Sequence, residues 1–559
     1  MYSFSKRNSE SLNGIWDFKF NADHDWNDEN INNIVYDDRI AVPSAFDAMP
    51  AYNGKRGIGF YRRSLNIPAG RRAKINFNAV GMYAKIFIDG RKLGEQYAAY
   101  TPFSVNIPAE GREKRELVVM TCNRFDYEIY PLHEIFFDFY AYGGIFRDVE
   151  MQLLPDGDTL DWVGVDTLDY RSGEIKVRVK PVNPGDVLKI SFDGETPKRL
   201  TVDKVSDDEF VFKYQFTDFN PWSPELPELH TVCVDNGSDS ISTRFGIRQI
   251  AAQNSKILLN GKAVKLLGYC RHEAHPQYGP ALPLSQLIAD LQLMRQLGCN
   301  FIRGSHYQQD PRFLELCDEM GFLVFEESMG WGQSVKHFTD PVFIEAQIKQ
   351  TAAMIETSYN HPSVIMRGFL NEGESDKEES RGCYEALVKL LKAKDPHRLI
   401  TYASNREERD LFLEMVDVIC FNIYPAWYSE NCSNESPLDE IIPRMHRNIN
   451  HLKERGLADK PYIISEIGAG AIYGWRDPIC AYWSEEYQRE YLSITCKEVL
   501  DNDAIAGVAL WQFCDCRTYR GSGALGRPRS FNNKGTFDEY RRPKLAAEAV
   551  ANLFKGYKS

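Results

Sequence analysis

Hydrophobic and polar residues alternate along the first half of the chain, and then the rhythm changes. Leu12-Asn-Gly-Ile-Trp-Asp-Phe-Lys-Phe20 and Ala84-Lys-Ile-Phe-Ile-Asp-Gly-Arg-Lys-Leu93 have the period of two that marks half-buried strands, with Asp89-Gly90 as a hairpin turn. No helical period appears in residues 1–153, so a β-sandwich or jelly roll is expected there. Residues 154–248 keep the alternation with fewer aromatics. Ile175-Lys-Val-Arg-Val-Lys-Pro-Val182 and Val187-Leu-Lys-Ile-Ser-Phe192 predict a small immunoglobulin-like sandwich that exits at Thr243-Arg-Phe-Gly-Ile-Arg248. That segment carries no chemistry-bearing motif and reads as a spacer and packing module.

From residue 249 to 559 short apolar runs alternate with helical periods. Leu287, Ile288, Leu291, Met294 and Leu297 recur at helical spacing before Gly298, and Asp310-Pro311 starts a helix that Gly321 ends. The apolar runs begin with Leu266-Leu-Gly-Tyr-Cys-Arg-His-Glu273 and Asn300-Phe-Ile-Arg303. They continue with Phe322–Glu326, Val364–Met366, Leu399–Tyr402, Val416–Cys420, Tyr462–Ile464 and Ile505–Trp511. Eight such runs predict a closed (β/α)8 barrel, with its chemistry at the C-terminal rim of the strands. Two of them lead to a glutamate, in Ser363-Val-Ile-Met-Arg-Gly-Phe-Leu-Asn-Glu372 and in Tyr462-Ile-Ile-Ser-Glu466. Two carboxylates facing one cavity are the minimum equipment for cleaving a glycosidic bond.

Composition narrows the function further. The 559 residues are 43% hydrophobic, 26% charged and 13% aromatic, with a net charge of −13. That acidity argues against nucleic acid, which needs a basic surface, but leaves room for a locally positive pocket. The aromatic content fits large β-sheet cores or a cleft that stacks on sugar rings. The first ten residues lack an apolar signal segment and no run of eighteen apolar residues occurs. Together with 12 scattered cysteines, this predicts a cytoplasmic protein with reduced thiols and no membrane partner. Cys514-Asp-Cys516 and His272-Glu-Ala-His275 lack zinc-site spacing, so no metal is expected. Asn431-Cys-Ser433 spells a glycosylation sequon. Gly521-Ser-Gly-Ala-Leu-Gly526 spells a dinucleotide fingerprint but runs into Arg527-Pro528, so it reads as a rim loop.

Several segments together resemble glycoside hydrolase family 2. They are Leu12-Asn-Gly-Ile-Trp16, Tyr142-Gly-Gly-Ile-Phe-Arg147, Arg271-His-Glu-Ala-His-Pro276, Asn360-His-Pro-Ser363, Asn371-Glu372 and Ser465-Glu466. The resemblance covers nearly the whole chain and implies a retaining glycosidase of this three-part architecture, without a cofactor and commonly a homo-oligomer. It implies Glu372 as general acid/base, Glu466 as nucleophile and Asn371 as donor to the sugar 2-hydroxyl.

Within the family, three features resemble the β-glucuronidase branch. Phe531-Asn-Asn-Lys-Gly535 resembles that branch's Asn-x-Lys motif, which places Asn532 and Lys534 on the substrate carboxylate. Phe137-Asp-Phe-Tyr-Ala-Tyr-Gly-Gly144 resembles the loop that brings an aspartate, here Asp138, to the sugar. Asn422-Ile-Tyr-Pro-Ala-Trp-Tyr428 resembles the loop after the sixth strand, with Asn422, Tyr424 and Tyr428 lining the site, and Trp511 matches an aromatic under the sugar ring. His272 and His306 are further site candidates. Arg527 and Arg529 flank the family's arginine position, with Arg529 taken as the candidate. Arg367 stands where the family usually has tryptophan, and is either paired with a barrel carboxylate or aimed at the substrate. The short loop Glu327–Ser334 suggests an open mouth. These features point to an exo-β-glucuronidase acting on a small or oligosaccharide β-uronide. A β-galacturonidase or dual-specificity hexuronidase, then a β-galactosidase, are the enzyme alternatives. A catalytically inactive sugar-binding protein is the non-enzyme one.

Overall fold

The computed structural model describes residues 2–22, 26–128, 130–133, 138–206, 209–428, 437–519 and 526–557. Phe137, the Asn431–Ser433 sequon and positions 521–525 of the glycine-rich hexapeptide lie outside them.

Two antiparallel sheets face each other in the N-terminal part. A six-stranded sheet runs in the spatial order Asp38–Val42, Gly14–Asn21, Ile58–Asn66, Lys114–Cys122, Tyr83–Ile88, Arg91–Gln96. A four-stranded sheet is ordered Asn8–Ser11, Val149–Leu153, Ala73–Phe77, Phe103–Ile107. Their inward residues, among them Trp16, Phe18, Ile75, Phe77, Ile86 and Val119, form one buried core. The predicted hairpin is present: Asp89 and Gly90 adopt φ of 52° and 79°, the left-handed pair that a tight two-residue turn needs. A second sandwich follows. Trp162–Asp169, Glu174–Lys180 and Phe210–Gln215 make one sheet, and four strands between Val187 and Phe245 make the other. Ile175, Val177, Ile190, Val232 and Val234 fill the space between them.

Eight parallel strands then close into a barrel: β1 (Leu266–Arg271), β2 (Phe301–Gly304), β3 (Leu323–Glu327), β4 (Val364–Asn371), β5 (Leu399–Ser404), β6 (Ile419–Asn422), β7 (Tyr462–Ile467) and β8 (Gly507–Leu510). Strand β4 is longer than its apolar run suggests and carries the chain out to Asn371. Strand β6 starts later than expected. The Asp417 carboxylate accepts the Ile400 N–H at 2.9 Å, so a side chain replaces the first rung of that ladder. A small antiparallel sheet, Ile250–Gln253 with Lys256–Leu259 and Lys262–Val264, precedes the barrel. Its Ile257 and Leu259 join Trp222 and Leu266 in a cluster continuous with the barrel interior. Among the described residues no helix is long and apolar enough to cross a membrane.

Arg147, the last residue of the Tyr142–Arg147 motif, ties the first sandwich to the barrel. Its buried guanidinium donates to Tyr100 O at 2.7 Å, to Gln308 O at 2.8 Å and to Glu273 Oε2 at 2.8 Å.

The expectation that Arg367 contributes to substrate binding is corrected here. Met366 packs in the interior cluster, and successive strand residues face opposite ways, so Arg367 points outward to the helices. It is fully buried there, bonded to Glu326, to Asp395 Oδ2 at 3.0 Å and to Ser358 Oγ at 2.5 Å. Arg367→Met would leave the buried Glu326 without its cation, while Asp395 keeps Arg398 at 3.0 Å. Chemical denaturation should show a loss of about 3–5 kcal/mol, while turnover per folded molecule changes little. A stable variant that loses substrate affinity would return Arg367 to the site.

Candidate active site

The two glutamates sit at the ends of β4 and β7, and one buried arginine organises the space between them. Arg303, at the end of β2, donates from Nη1 to Glu466 Oε1 at 2.7 Å and to Ser465 O at 3.0 Å. From Nη2 it donates to Asn371 Oδ1 at 2.8 Å, and from Nε to Glu327 Oε1 at 2.6 Å. The second oxygen of Glu466 accepts the Tyr424 hydroxyl at 2.7 Å. Asn422, at the end of β6, completes the link. Its Nδ2 donates to both Asn371 Oδ1 at 2.9 Å and Glu372 Oε1 at 2.8 Å, and its Oδ1 accepts the Ser465 hydroxyl at 2.7 Å. Glu372 and Glu466 thus belong to a single hydrogen-bond network that draws on five strands, β2, β3, β4, β6 and β7.

The end of β4 is distorted to present these groups. Leu370 and Glu372 take φ of 52° and 56°, a left-handed conformation that costs a non-glycine residue of order 1–3 kcal/mol. The surroundings hold it in place. Asn371 N donates to Gly330 O at 3.0 Å, Gly332 N to Asn371 O at 2.7 Å, and Glu372 N to Ala403 O at 2.9 Å. The short segment after β3 therefore serves as a splint for the β4 terminus.

The carboxyl groups have different surroundings. Burial, and next the negative charge of Glu466, raise the Glu372 pKa to about 8, against the lowering effect of the Asn422 bond and Arg303. Glu327, despite the cost of burial, is held below the ordinary range by Arg303 and His306. His306 Nδ1 lies 3.2 Å from Glu327 Oε2, and its ring stacks on Trp511 at 5.2 Å and 13°. His272 approaches Trp511 edge-on at 5.3 Å and contacts Tyr307 OH through Nδ1 at 3.2 Å. Burial, then the neighbouring cationic groups, push its pKa well down, so the ring is neutral.

A second cluster gathers Asp138, Tyr428, Arg527, Asn532 and Lys534. Asn532 Nδ2 donates to Asp138 Oδ2 at 2.9 Å, and Arg527 grips the same carboxylate from Nε at 2.8 Å and Nη2 at 2.5 Å. Tyr428 OH accepts from Arg527 Nη2 at 2.8 Å and from Lys534 Nζ at 2.6 Å. Lys534 is 1% exposed, and among the described residues it makes no ion pair. Burial, then the positive charge of Arg527, drive its pKa well below the usual lysine value. Its Nζ also lies 5.6 Å from the Tyr424 ring centroid, and Tyr424 bonds Glu466, so the two clusters are adjacent. Asn371 Nδ2, His272 Nε2 and Asn532 Oδ1 are buried without a partner among the described residues and are available to a ligand.

The structure brings together twelve of the fourteen expected site residues and leaves out two, Arg367 and Arg529. Arg529 has φ of 61° and turns its half-exposed side chain to Glu539, at 3.0 and 3.2 Å. Arg527 is the arginine that enters, because the turn at Pro528 separates the two. Arg303 and Glu327 were not singled out from the sequence. The available signal was an arginine and a glutamate inside buried strand runs, where an unpaired charge is prohibitive. Among the described residues no group of three or more His, Cys, Asp or Glu side chains is placed to hold a metal ion.

Comparison with known proteins defines the class. The model of the glycosyl hydrolases family 2 TIM barrel domain matches residues 250–558, and that of the family 2 sugar binding domain matches residues 9–155. The chain is 27% identical to a β-glucuronidase of Streptococcus agalactiae over 96% of its length and 94% of that protein. A family 2 β-galacturonidase of Eisenbergiella tayi, solved with galacturonate, superposes with a TM-score of 0.88 at 33% identity, covering 100% of this chain and 99% of that one. A β-glucuronidase from an uncultured Clostridium superposes with a TM-score of 0.85 at 25% identity, with 98% of each chain covered. The protein is a glycoside hydrolase. It belongs to glycoside hydrolase family 2.

The raised pKa of Glu372 has a consequence for stability. The folded protein holds this proton up to about pH 8, whereas an ordinary carboxyl releases it near 4.5. The group's stabilising contribution is complete below the unfolded pKa and is lost as pH rises through the folded one. Glu372→Gln, which never ionises, should therefore melt close to the unmodified protein at pH 4.5 and above it at pH 9. A difference in Tm that does not widen with pH would contradict the assignment.

Proposed function

We propose that this protein is a retaining, exo-acting β-hexuronidase. The observation that carries the sugar class is the buried Lys534, which donates to the Tyr428 hydroxyl beside the Arg527–Asp138 pair and makes no ion pair among the described residues. Arg527 is already paired with Asp138, so among the described residues Lys534 has no carboxylate of its own, and its charged form is disfavoured until one arrives. A substrate carboxylate supplies that partner, and its own desolvation is offset by charge-assisted hydrogen bonds. A neutral sugar has no use for such a group.

In the proposed reaction Glu466, oriented by Arg303 and Tyr424, attacks the anomeric carbon. Glu372, protonated up to about pH 8, gives its proton to the departing glycosidic oxygen. Ester formation removes the negative charge of Glu466, so the pKa of Glu372 falls and the same group becomes the base that deprotonates water. Water then attacks the anomeric carbon and releases Glu466, with the sugar's configuration retained. The unpartnered Asn371 Nδ2 is the donor for the sugar 2-hydroxyl, and Trp511, backed by His306, is the wall beneath the ring.

Glucuronides and galacturonides differ at C4 and share the carboxylate. The name carried by several relatives favours the glucuronide. The second reading, the β-galacturonide, is favoured by the 33% identity to the Eisenbergiella tayi enzyme against 25% to the Clostridium glucuronidase structure. The cysteines among the described residues are all unpaired, which supports a reducing, cytoplasmic setting.

Lys534→Ala should lower kcat/KM for p-nitrophenyl β-glucuronide and β-galacturonide by about 100- to 1,000-fold with little change in Tm. Near-normal turnover would remove the uronate reading. Proton NMR of the first-formed sugar should show the β-anomer; the α-anomer would end the retaining assignment.

A further inference from the structure

The loop that carries Asn532 and Lys534 has little regular structure, a short turn at Pro528–Ser530 and a two-residue strand at Phe531–Asn532, yet Lys534 must be held against its own tendency to reach solvent. A buried ion pair behind the loop does this. Lys544 and Asp515 have side chains with no exposure at all, and meet at 2.8 Å. Each of the three ammonium protons of Lys544 has an acceptor: Asp515 Oδ1, Asn533 O at 3.0 Å and Ala471 O at 2.7 Å. Asp515 in turn accepts the Gly535 N–H at 2.9 Å and Asn533 Nδ2 at 3.1 Å. Lys534 is thus flanked on both sides by residues bonded to this pair. Gln488, buried on the helix Glu485–Asp501, adds bonds from Nε2 to Gly535 O at 3.0 Å, Lys534 O at 3.3 Å and Ala469 O at 2.9 Å.

The other ends of these contacts matter as much. Ala469 and Ala471 lie just beyond β7, whose Glu466 is the proposed nucleophile, and Ala471 N also donates to Asn533 O at 2.9 Å. Gly535 is packed so closely that a Cβ there would meet Asp515 N at 2.3 Å and Phe537 O at 2.4 Å, so the loop has no room to shift toward the pair.

We infer that Asp515, Lys544 and Gln488 are positioning residues that set the distance between the uronate end of the sugar site and the anomeric end. The inference rests on the uronate reading of Lys534. None of the three residues is assigned a contact with substrate. They act by locking the loop after β8 to the loop after β7, so that a carboxylate held by Lys534 puts the anomeric carbon over Glu466. A buried pair of this kind contributes little net stability compared with apolar packing. A displacement of about 1 Å at a reacting centre, by contrast, can cost about 100-fold in rate.

The test compares kcat/KM for p-nitrophenyl β-glucuronide and β-galacturonide with that for 2,4-dinitrophenyl β-galactoside, whose activated leaving group needs no uronate anchor. The variants are Asp515→Asn/Lys544→Gln, which removes both charges together, and Gln488→Leu, an uncharged change that decides the matter if the first does not fold. In each the uronide-to-galactoside ratio should fall at least about tenfold, with a rise in KM for the uronides as well as a loss of kcat. A ratio equal to that of the unmodified protein, or equal losses on both substrate types, would overturn the positioning role. Lys534→Ala, measured in parallel, separates the two ideas. If it too leaves the ratio unchanged, the uronate reading fails; if it alone collapses the ratio, only the positioning role does.

Discussion

The guanidinium of Arg303 is the constraint on which the site depends. It is fully buried at the end of β2, where an unpaired charge could not persist, and it resolves its own burial by binding Glu327, Glu466 and the Asn371 amide at once. A planar fork with donors on several edges can satisfy partners from three strands, whereas a lysine would place one point charge among them. The cation also makes the two glutamates unlike. Glu466 receives the guanidinium and a tyrosine hydroxyl. Glu372 is raised first by its burial and then by the charge of Glu466, against the Asn422 amide and Arg303, and so keeps its proton. A carboxyl group that its surroundings keep protonated is the form a proton donor needs.

The rest of the barrel rim adjusts to that arrangement. The left-handed turns at Leu370 and Glu372 are unfavourable in isolation, but the segment after β3 and the end of β5 bond the backbone on both sides. Strain of this kind persists where neighbours over-determine it. Behind the rim, Arg367 performs the matching task on the outer face of β4. It neutralises Glu326 and Asp395 under the helices, so the same strand carries a structural charge network outward and a chemical one inward.

The site is not made by the barrel alone. Asp138 and Phe139 come from the N-terminal region, and Phe139 packs 4.7 Å from His272. Arg147 and the stacking of Tyr100 on Tyr307 at 3.7 Å seal that junction. Tyr307 also contacts His272 and Glu273 N, so the packing between the first sandwich and the barrel bears directly on the groups around Trp511.

Much of this was legible in the chain. Alternation at Leu12–Phe20 and the Asp89-Gly90 turn specify strands and a hairpin because burial of one face leaves a period of two. The eight apolar runs specify the barrel strands because parallel strands are covered on both faces. The placement of Glu372 and Glu466 at strand ends follows from the same runs, whereas Asn532 and Lys534 stood out through the resemblance of Phe531–Gly535 to the Asn-x-Lys motif. What depended on side-chain direction and long-range approach did not follow. Arg527 rather than Arg529 enters the site because one positive-φ turn sends the latter to Glu539. Arg367 faces the helices because of strand parity relative to Met366. Arg303, Glu327, Asp515 and Lys544 acquire their partners only when residues far apart in sequence meet in a space without water. Local patterning is set by which face is buried, and that can be read one residue at a time; the pairing of buried charges is set by three-dimensional proximity, and only the folded chain decides it.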